Sequence, residues 1–169
     1  VNTLAKAQEF FRPDINLLHD PFLMKDMKKV VEKIENSREE RIMILGDYDV
    51  DGTTSTAMLY TYSKNINYDI LYYIPDRYSE GYGVSEKAIE YAEKNRVSLI
   101  ITVDCGIKAI NQVDISNSKN IEMIICDHHL PGDQIPNAFG ILNPKQENCK
   151  YPFKDLCCLL YTSDAADDT

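Results

Sequence analysis

Three aspartates on alternate residues stand out first. An apolar run, Ile42 to Leu45, stops at Gly46 and is followed by Asp47, Asp49 and Asp51. Carboxylates this close repel one another, and each loses water when buried. Divalent cations among them would offset both costs. The same acids also suit a polar loop at a helix N-terminus, where the helix dipole favours negative charge. Gly52 predicts a sharp backbone turn, and Thr53 predicts a cap for the helix that starts there.

Two further clusters carry chemistry. One reads Val103-Asp104-Cys105-Gly106, the other Cys126-Asp127-His128-His129 followed by Leu130-Pro131-Gly132. Alone, Asp104 reads equally well as a helix N-cap, and a histidine in a turn usually hydrogen-bonds locally. Three acid- or imidazole-bearing segments, each following an apolar run, point together to a divalent-metal site. A fourth stretch, Asp76 to Ser85, holds Arg77 and two glycines ahead of a helix start. It fits a phosphate contact or a solvated loop. The eleven tyrosines read as core or surface fillers.

Elements that could position these residues are legible in the pattern. A lead-in, residues 1–36, reads as helical, interrupted at Pro13, Asp14 and Asn16. Asp20 as N-cap and Pro21 at the first helical position predict one helix to about Asn36, with Leu23, Met27, Val30, Val31 and Ile34 on one face. From Arg41 the chain alternates. Strands are predicted at Ile42–Leu45, Ile70–Ile74, Leu99–Val103, Met123–Cys126 and Phe139–Leu142. Helices are predicted at Thr54–Ser63, Ser85–Asn95 and Ile107–Ser118. The first, third and fourth strands are apolar throughout, as a sheet covered on both faces requires. The fold class is therefore α/β: an open, mainly parallel five-stranded sheet with helices on both faces, preceded by a helical segment. Ligands in such sheets sit at the carboxyl ends of the strands, where all three clusters lie.

Composition narrows the function classes. The chain has 169 residues, is 44% hydrophobic and carries a formal charge of −9. That size suffices for one domain with a full core. The acidic balance argues against a broad nucleic-acid surface within this stretch and fits a site that gathers acids around divalent ions. No apolar run approaches a membrane span, and nothing at the N-terminus reads as a secretory signal. Five cysteines without a C-x-x-C spacing indicate neither a disulfide framework nor a zinc knuckle. A reducing cytoplasmic setting follows.

With Asp47-Tyr48-Asp49-Val50-Asp51-Gly52-Thr53, Val103–Gly106 and Asp127–Gly132 in this order, the chain resembles the DHH phosphoesterase family. His19–Met27 and Ile74–Ser85 bring it closer to that family's single-strand-specific 5′→3′ DNA exonucleases of repair and recombination. The resemblance implies a DHH domain over residues 37–156, incomplete at its C-terminus, and a non-family tail at 157–169. The tail resembles read-through at a fragment's edge; a genuine polar tail is the other reading. A fourth metal-binding acid, a clamp domain and an OB-fold would follow in the family beyond this stretch.

The resemblance also implies roles. Asp49 and Asp51 would ligate metal, with Asp47 beside them. Asp104 would bridge two ions, His128 would ligate one, and His129 would face the scissile phosphate as the catalytic imidazole. Two divalent ions are implied, manganese fitting the mixed carboxylate and imidazole set better than magnesium. The implied substrate is single-stranded DNA, gripped mainly by the later domains, and the implied partners are a helicase or a single-strand-binding protein. Other DHH substrates stay open: small oligonucleotides, cyclic dinucleotides or pyrophosphate. Asp49-Val50-Asp51-Gly52-Thr53 also matches a HAD-type phosphatase with Asp49 as nucleophile, which leaves Asp127-His128-His129 unexplained. A non-catalytic nucleotide-binding module on the same sheet is the third reading.

Overall fold

The structure, a computed structural model, describes residues 3–12, 14 and 18–154. Elements follow in the order α1 (Leu4–Phe11), a 3-10 turn (Pro21–Leu23), α2 (Met27–Asn36), β1 (Arg41–Gly46), α3 (Val50–Asn65), β2 (Asp69–Tyr73), α4 (Glu86–Lys94), β3 (Leu99–Val103), α5 (Ile110–Ser118), β4 (Glu122–Cys126) and β5 (Gly140–Leu142). The strands form one parallel sheet in the order β2-β1-β3-β4-β5. The chain first steps outward from β1 to β2, then crosses back over β1 to β3. The topological switch point therefore lies between β1 and β3, where doubly wound sheets open a crevice at the strands' carboxyl ends.

The two faces of β1 explain the apolar strands. Met43 and Leu45 pack with Ala88, Ile89, Ala92 and Val113 from α4 and α5. Ile42 and Ile44 pack on the other face with Val30 of α2 and with Ile34 and Leu59. Successive side chains point to opposite faces, so a strand covered twice must be apolar at every position.

Three helices end alike. Asn67, Arg96 and Asn120 take left-handed φ of 63°, 57° and 57° just after α3, α4 and α5. Each reverses the chain with paired amide bonds, as in Tyr68 N–H to Ser63 O and Asn67 N–H to Lys64 O, at 3.0 and 3.1 Å. The apolar residue that follows, Tyr68, Val97 or Ile121, enters the core. These are Schellman closures, and they start the next strand at the edge opposite the site.

The structure corrects several predicted boundaries. The segment expected as one helix to Asn36 divides. Asp20 does cap, accepting from Phe22 N–H at 2.8 Å, but only a 3-10 turn follows. Asp26 then turns left-handed (φ 67°) ahead of α2. Its Oδ2 accepts Ile141 N–H at 3.1 Å, so a side chain covers part of the edge of β5. Helix α5 starts at Ile110 rather than Ile107, with Ala109 at the cap position. Asp104 is thus no helix cap. Pro13, Asn16 and the 157–169 tail lie outside the described residues.

Candidate metal centre

Strand register builds the site. Gly46 pairs with Val103, and Val103 with Cys126. One residue further along each strand stand Asp47, Asp104 and Asp127, at 0%, 1% and 1% exposure. Asp104 N–H donates to Cys126 O, continuing the ladder at 2.9 Å. Three buried acids abreast at a switch point would be costly without compensation.

Each acid meets that cost differently. Asp127 is fully engaged: Oδ2 accepts Ile107 N–H at 2.9 Å, and Oδ1 accepts His129 N–H at 3.0 Å and lies 2.7 Å from His129 Nδ1. Asp47 Oδ1 accepts Gly83 N–H at 3.4 Å, while its Oδ2 is buried without a hydrogen bond. Asp104 Oδ1 lies 3.1 Å from His128 Nε2, yet no aligned hydrogen bond reaches it. Burial pushes the carboxyls of both Asp47 and Asp104 above their ordinary range, and the charge of Asp49 adds to the rise in each. His128 is raised by its contact with Asp104, against burial. A buried oxygen that ligates a cation needs no hydrogen-bond donor.

One ligand atom each from Asp104, His128 and His129 lies within 4.8 Å of the others, the group among the described residues able to hold an ion. Asp49 and Asp51 flank it rather than join it. Asp49 is the N-cap of α3, with Oδ1 accepting Gly52 N–H at 2.9 Å. Asp51 sits in the first turn of the helix. Both are near enough for their charges to raise Asp104.

The glycine and threonine of this motif act otherwise than expected. Helix α3 starts at Val50, so Asp49 caps it in place of Thr53, whose hydroxyl donates back to Asp49 O at 2.6 Å. Gly52 is helical and serves close approach rather than a turn. A Cβ there would stand 2.5 Å from both Asp47 N and Asp47 O. The helix thus abuts the acid's own backbone, a fit that only glycine permits.

Residues absent from the predicted set complete the surroundings. Asn143, fully buried after β5, donates through Nδ2 to His129 O at 2.9 Å. The charge of Lys145 acts on His128. The loop expected as solvated or phosphate-touching is built around Glu80. Its carboxylate accepts from Tyr73 OH at 2.9 Å and Asp76 N–H at 3.0 Å, and also from the Ser85 hydroxyl. These bonds hold Glu80 below the usual carboxylate range although burial opposes them. From this loop Tyr82, read from sequence as a filler, reaches the site. Its hydroxyl donates to Asp104 O at 3.1 Å and lies 3.3 and 3.2 Å from the two ring nitrogens of His129. The Gly-Tyr-Gly spacing was the available signal. A cleft of about 250 Å³ opens beside this tyrosine, bounded by Gly83, Gly106, Lys108, Gln112, Asp127 and His129.

Residues 41–164 match the DHH family, N-terminal domain. The chain belongs to the DHH family. Among relatives, the single-stranded-DNA-specific exonuclease RecJ of Bacillus subtilis is 41% identical over 157 residues, covering 92% of this chain and 20% of that protein. RecJ of Escherichia coli K12 is 39% identical over 133 residues, covering 77% and 23%. This DHH chain therefore spans about a fifth of the length of the relatives it matches. In a crystal structure of exonuclease RecJ bound to manganese, the likeness covers 79% of this chain and 37% of the other, with TM-score 0.69 and 28% identity. Membership in the DHH family sets aside the HAD-type reading, and the α/β doubly wound sheet is the expected one. Cys105, Cys126 and Cys149 are free thiols. Among the described residues no helix is long and apolar enough to cross a membrane.

Proposed function

We propose that this chain carries the metal-binding part of a RecJ-type exonuclease, hydrolysing phosphodiester bonds at the 5′ end of single-stranded DNA. One observation carries the reading: two buried carboxylate oxygens at the switch point, Asp47 Oδ2 and Asp104 Oδ1, accept no aligned hydrogen bond, and Asp104 Oδ1 lies 3.1 Å from the imidazole of His128. The donor set fits manganese, since carboxylates and imidazoles together suit it better than magnesium. The manganese-bound neighbour supports the same choice, and the relatives' names support the exonuclease reading.

Asp104 and His128 would hold the ions, with Asp47, Asp49 and Asp51 completing the acidic wall. Bound divalent ions supply an activated water and charge stabilisation for the phosphoryl oxygens. The protein's own residues do the rest. Asp127 holds the Nδ1 side of His129 and the Tyr82 hydroxyl lies 3.2 Å from Nε2; Nε2 would exchange that contact for a phosphate oxygen and donate a proton to it or to the leaving group. Arg77, stacked over Tyr48 at 5.3 Å, stands on the same loop as Tyr82 and supplies a cation for a neighbouring phosphate. Substrate in the form of DNA, with a helicase or single-strand-binding protein nearby in a cytoplasmic setting, follows from the same kinship.

The test is a small substrate that needs no strand grip. With manganese present, the chain should hydrolyse bis(p-nitrophenyl) phosphate, and should not hydrolyse the monoester p-nitrophenyl phosphate. Hydrolysis of the monoester alone, or trapping of a phospho-aspartate, would overturn the reading.

A further inference from the structure

Tyr82 is tied to all three strand ends that make the site. Through its neighbour, Gly83 N–H donates to Asp47 Oδ1 beyond β1. Its hydroxyl donates to the carbonyl of Asp104 beyond β3. The same oxygen touches both ring nitrogens of His129 beyond β4, and the two rings meet edge-on at 5.8 Å between centroids, 81° apart.

Those contacts fall where the backbone most needs them. Asp104 has φ 62°, a left-handed conformation uncommon for residues with a Cβ, although Asp adopts it more readily than most. The turn is what directs its carboxylate. The Tyr82 hydroxyl holds the carbonyl of that turn. Tyr82 itself is presented by two glycines, Gly81 and Gly83, at φ 81° and 84°, each with open space where a Cβ would stand. The ring is half exposed, at 53%. Its burial therefore adds little to the core, while its hydroxyl is directed inward.

We infer that Tyr82 is a positioning residue that sets the Asp104 carboxylate for metal binding and steadies the His129 ring beside it. This rests on the metal reading of the site above. Groups one step outside a metal's ligands orient them, and removing such a group typically costs about 10- to 100-fold in metal affinity.

The test uses residues 1–169 and manganese alone, with free Mn²⁺ followed by electron paramagnetic resonance. Tyr82→Phe keeps the ring and removes only the hydroxyl. Tyr78→Phe, at a fully solvated tyrosine of the same loop (95% exposed), is the control. We expect Tyr82→Phe to weaken Mn²⁺ binding about tenfold, with an unchanged melting temperature in the metal-free state, and Tyr78→Phe to bind as the unaltered chain does. Equal Mn²⁺ affinity in Tyr82→Phe and the unaltered chain would overturn the inference. So would a loss of affinity matched by a fall in metal-free melting temperature that Tyr82→Leu merely enlarges. Should the unaltered chain bind no Mn²⁺, the metal reading itself fails, which is a separate outcome.

Discussion

Asp127 Oδ1 stands 2.7 Å from His129 Nδ1, while its other oxygen accepts the Ile107 amide at 2.9 Å. One buried carboxylate thus fixes an imidazole on β4's end and the backbone leading into α5. The acid of this triplet is not a spare ligand: all its capacity goes to orientation. Asp127→Ala should leave a buried amide without an acceptor, costing about 1–3 kcal/mol. We expect a lower melting temperature, and loss of phosphodiester hydrolysis even at temperatures where the variant stays folded. Full activity in folded Asp127→Ala would show that His129 needs no orienting partner.

Ligand and catalytic imidazole separate by mutation. Asp104→Ala removes the acid at the centre of the cluster and should abolish both Mn²⁺ binding and hydrolysis. His129→Ala should keep most of the metal affinity and lose turnover if the ring that Asp127 orients serves the phosphate, as proposed. Its ring nitrogen also lies within ligand range of Asp104 and His128, so calorimetry on both variants decides. Equal loss of metal would make His129 a ligand.

Gly52 offers a packing test of the motif. A methyl group there would stand 2.5 Å from the Asp47 backbone. Such overpacking costs about 1–3 kcal/mol. Gly52→Ala should therefore lower the melting temperature and, by moving Asp47, weaken Mn²⁺ binding. A stable variant with full affinity would show that α3 can withdraw from Asp47 freely.

Much of this was legible in the sequence. The uninterrupted apolar runs at β1, β3 and β4 announced a sheet covered on both faces, and the acids following them announced which sheet edge would gather Asp47, Asp104 and Asp127. Start points were less visible. Asp49 competes with Thr53 for the same cap, and only the packing of Gly52 on Asp47 decides where α3 begins. Asp26 in a left-handed turn splits a segment whose periodicity reads as continuous, because its carboxylate is needed at the edge of β5. Tyr82 was hidden for another reason. Its role depends on contacts 22 and 47 residues away along the chain, which no local pattern carries.

The metal-free chain should lose stability as pH rises. His128 has a raised pKa in the folded state, so its contribution is fully present below the unfolded value of about 6.5 and fades as pH climbs through the folded one. Asp47 and Asp104 are raised as well. For them the folded state also holds protons more tightly, and the penalty for ionising begins above 3.8. All three act in one direction. The metal-free melting temperature should fall between pH 6 and pH 8.5, by about 2–4 °C for each kcal/mol lost in a domain of this size. Mn²⁺ binding should strengthen over the same range, because the proton on His128 must leave before that ring can ligate. Asp104→Asn should flatten both trends. A metal-free melting temperature that rises from pH 6 to pH 8.5 would contradict the assignment.

Residues 1–169 by themselves should bind single-stranded DNA weakly and digest long strands poorly. The −9 charge repels phosphates, and the matched stretch is about a fifth of the length of the Bacillus subtilis relative. Processive digestion requires a grip that lets the strand advance after each cut, through cationic grooves and base stacking. Within the chain, Arg77 and Lys108 stand near the site against a wall of acids. Salt dependence separates grip from chemistry. Binding that rests on many phosphate contacts falls steeply as salt rises, in proportion to the counterions released. Fluorescence anisotropy with a labelled oligonucleotide should show a shallow slope for residues 1–169 and a steep one for the Bacillus subtilis relative. The small diester bis(p-nitrophenyl) phosphate needs no grip, so its slow manganese-dependent hydrolysis should persist where strand digestion fails. Robust digestion of long single strands by residues 1–169 alone would place both catalysis and grip within this sheet and its loops.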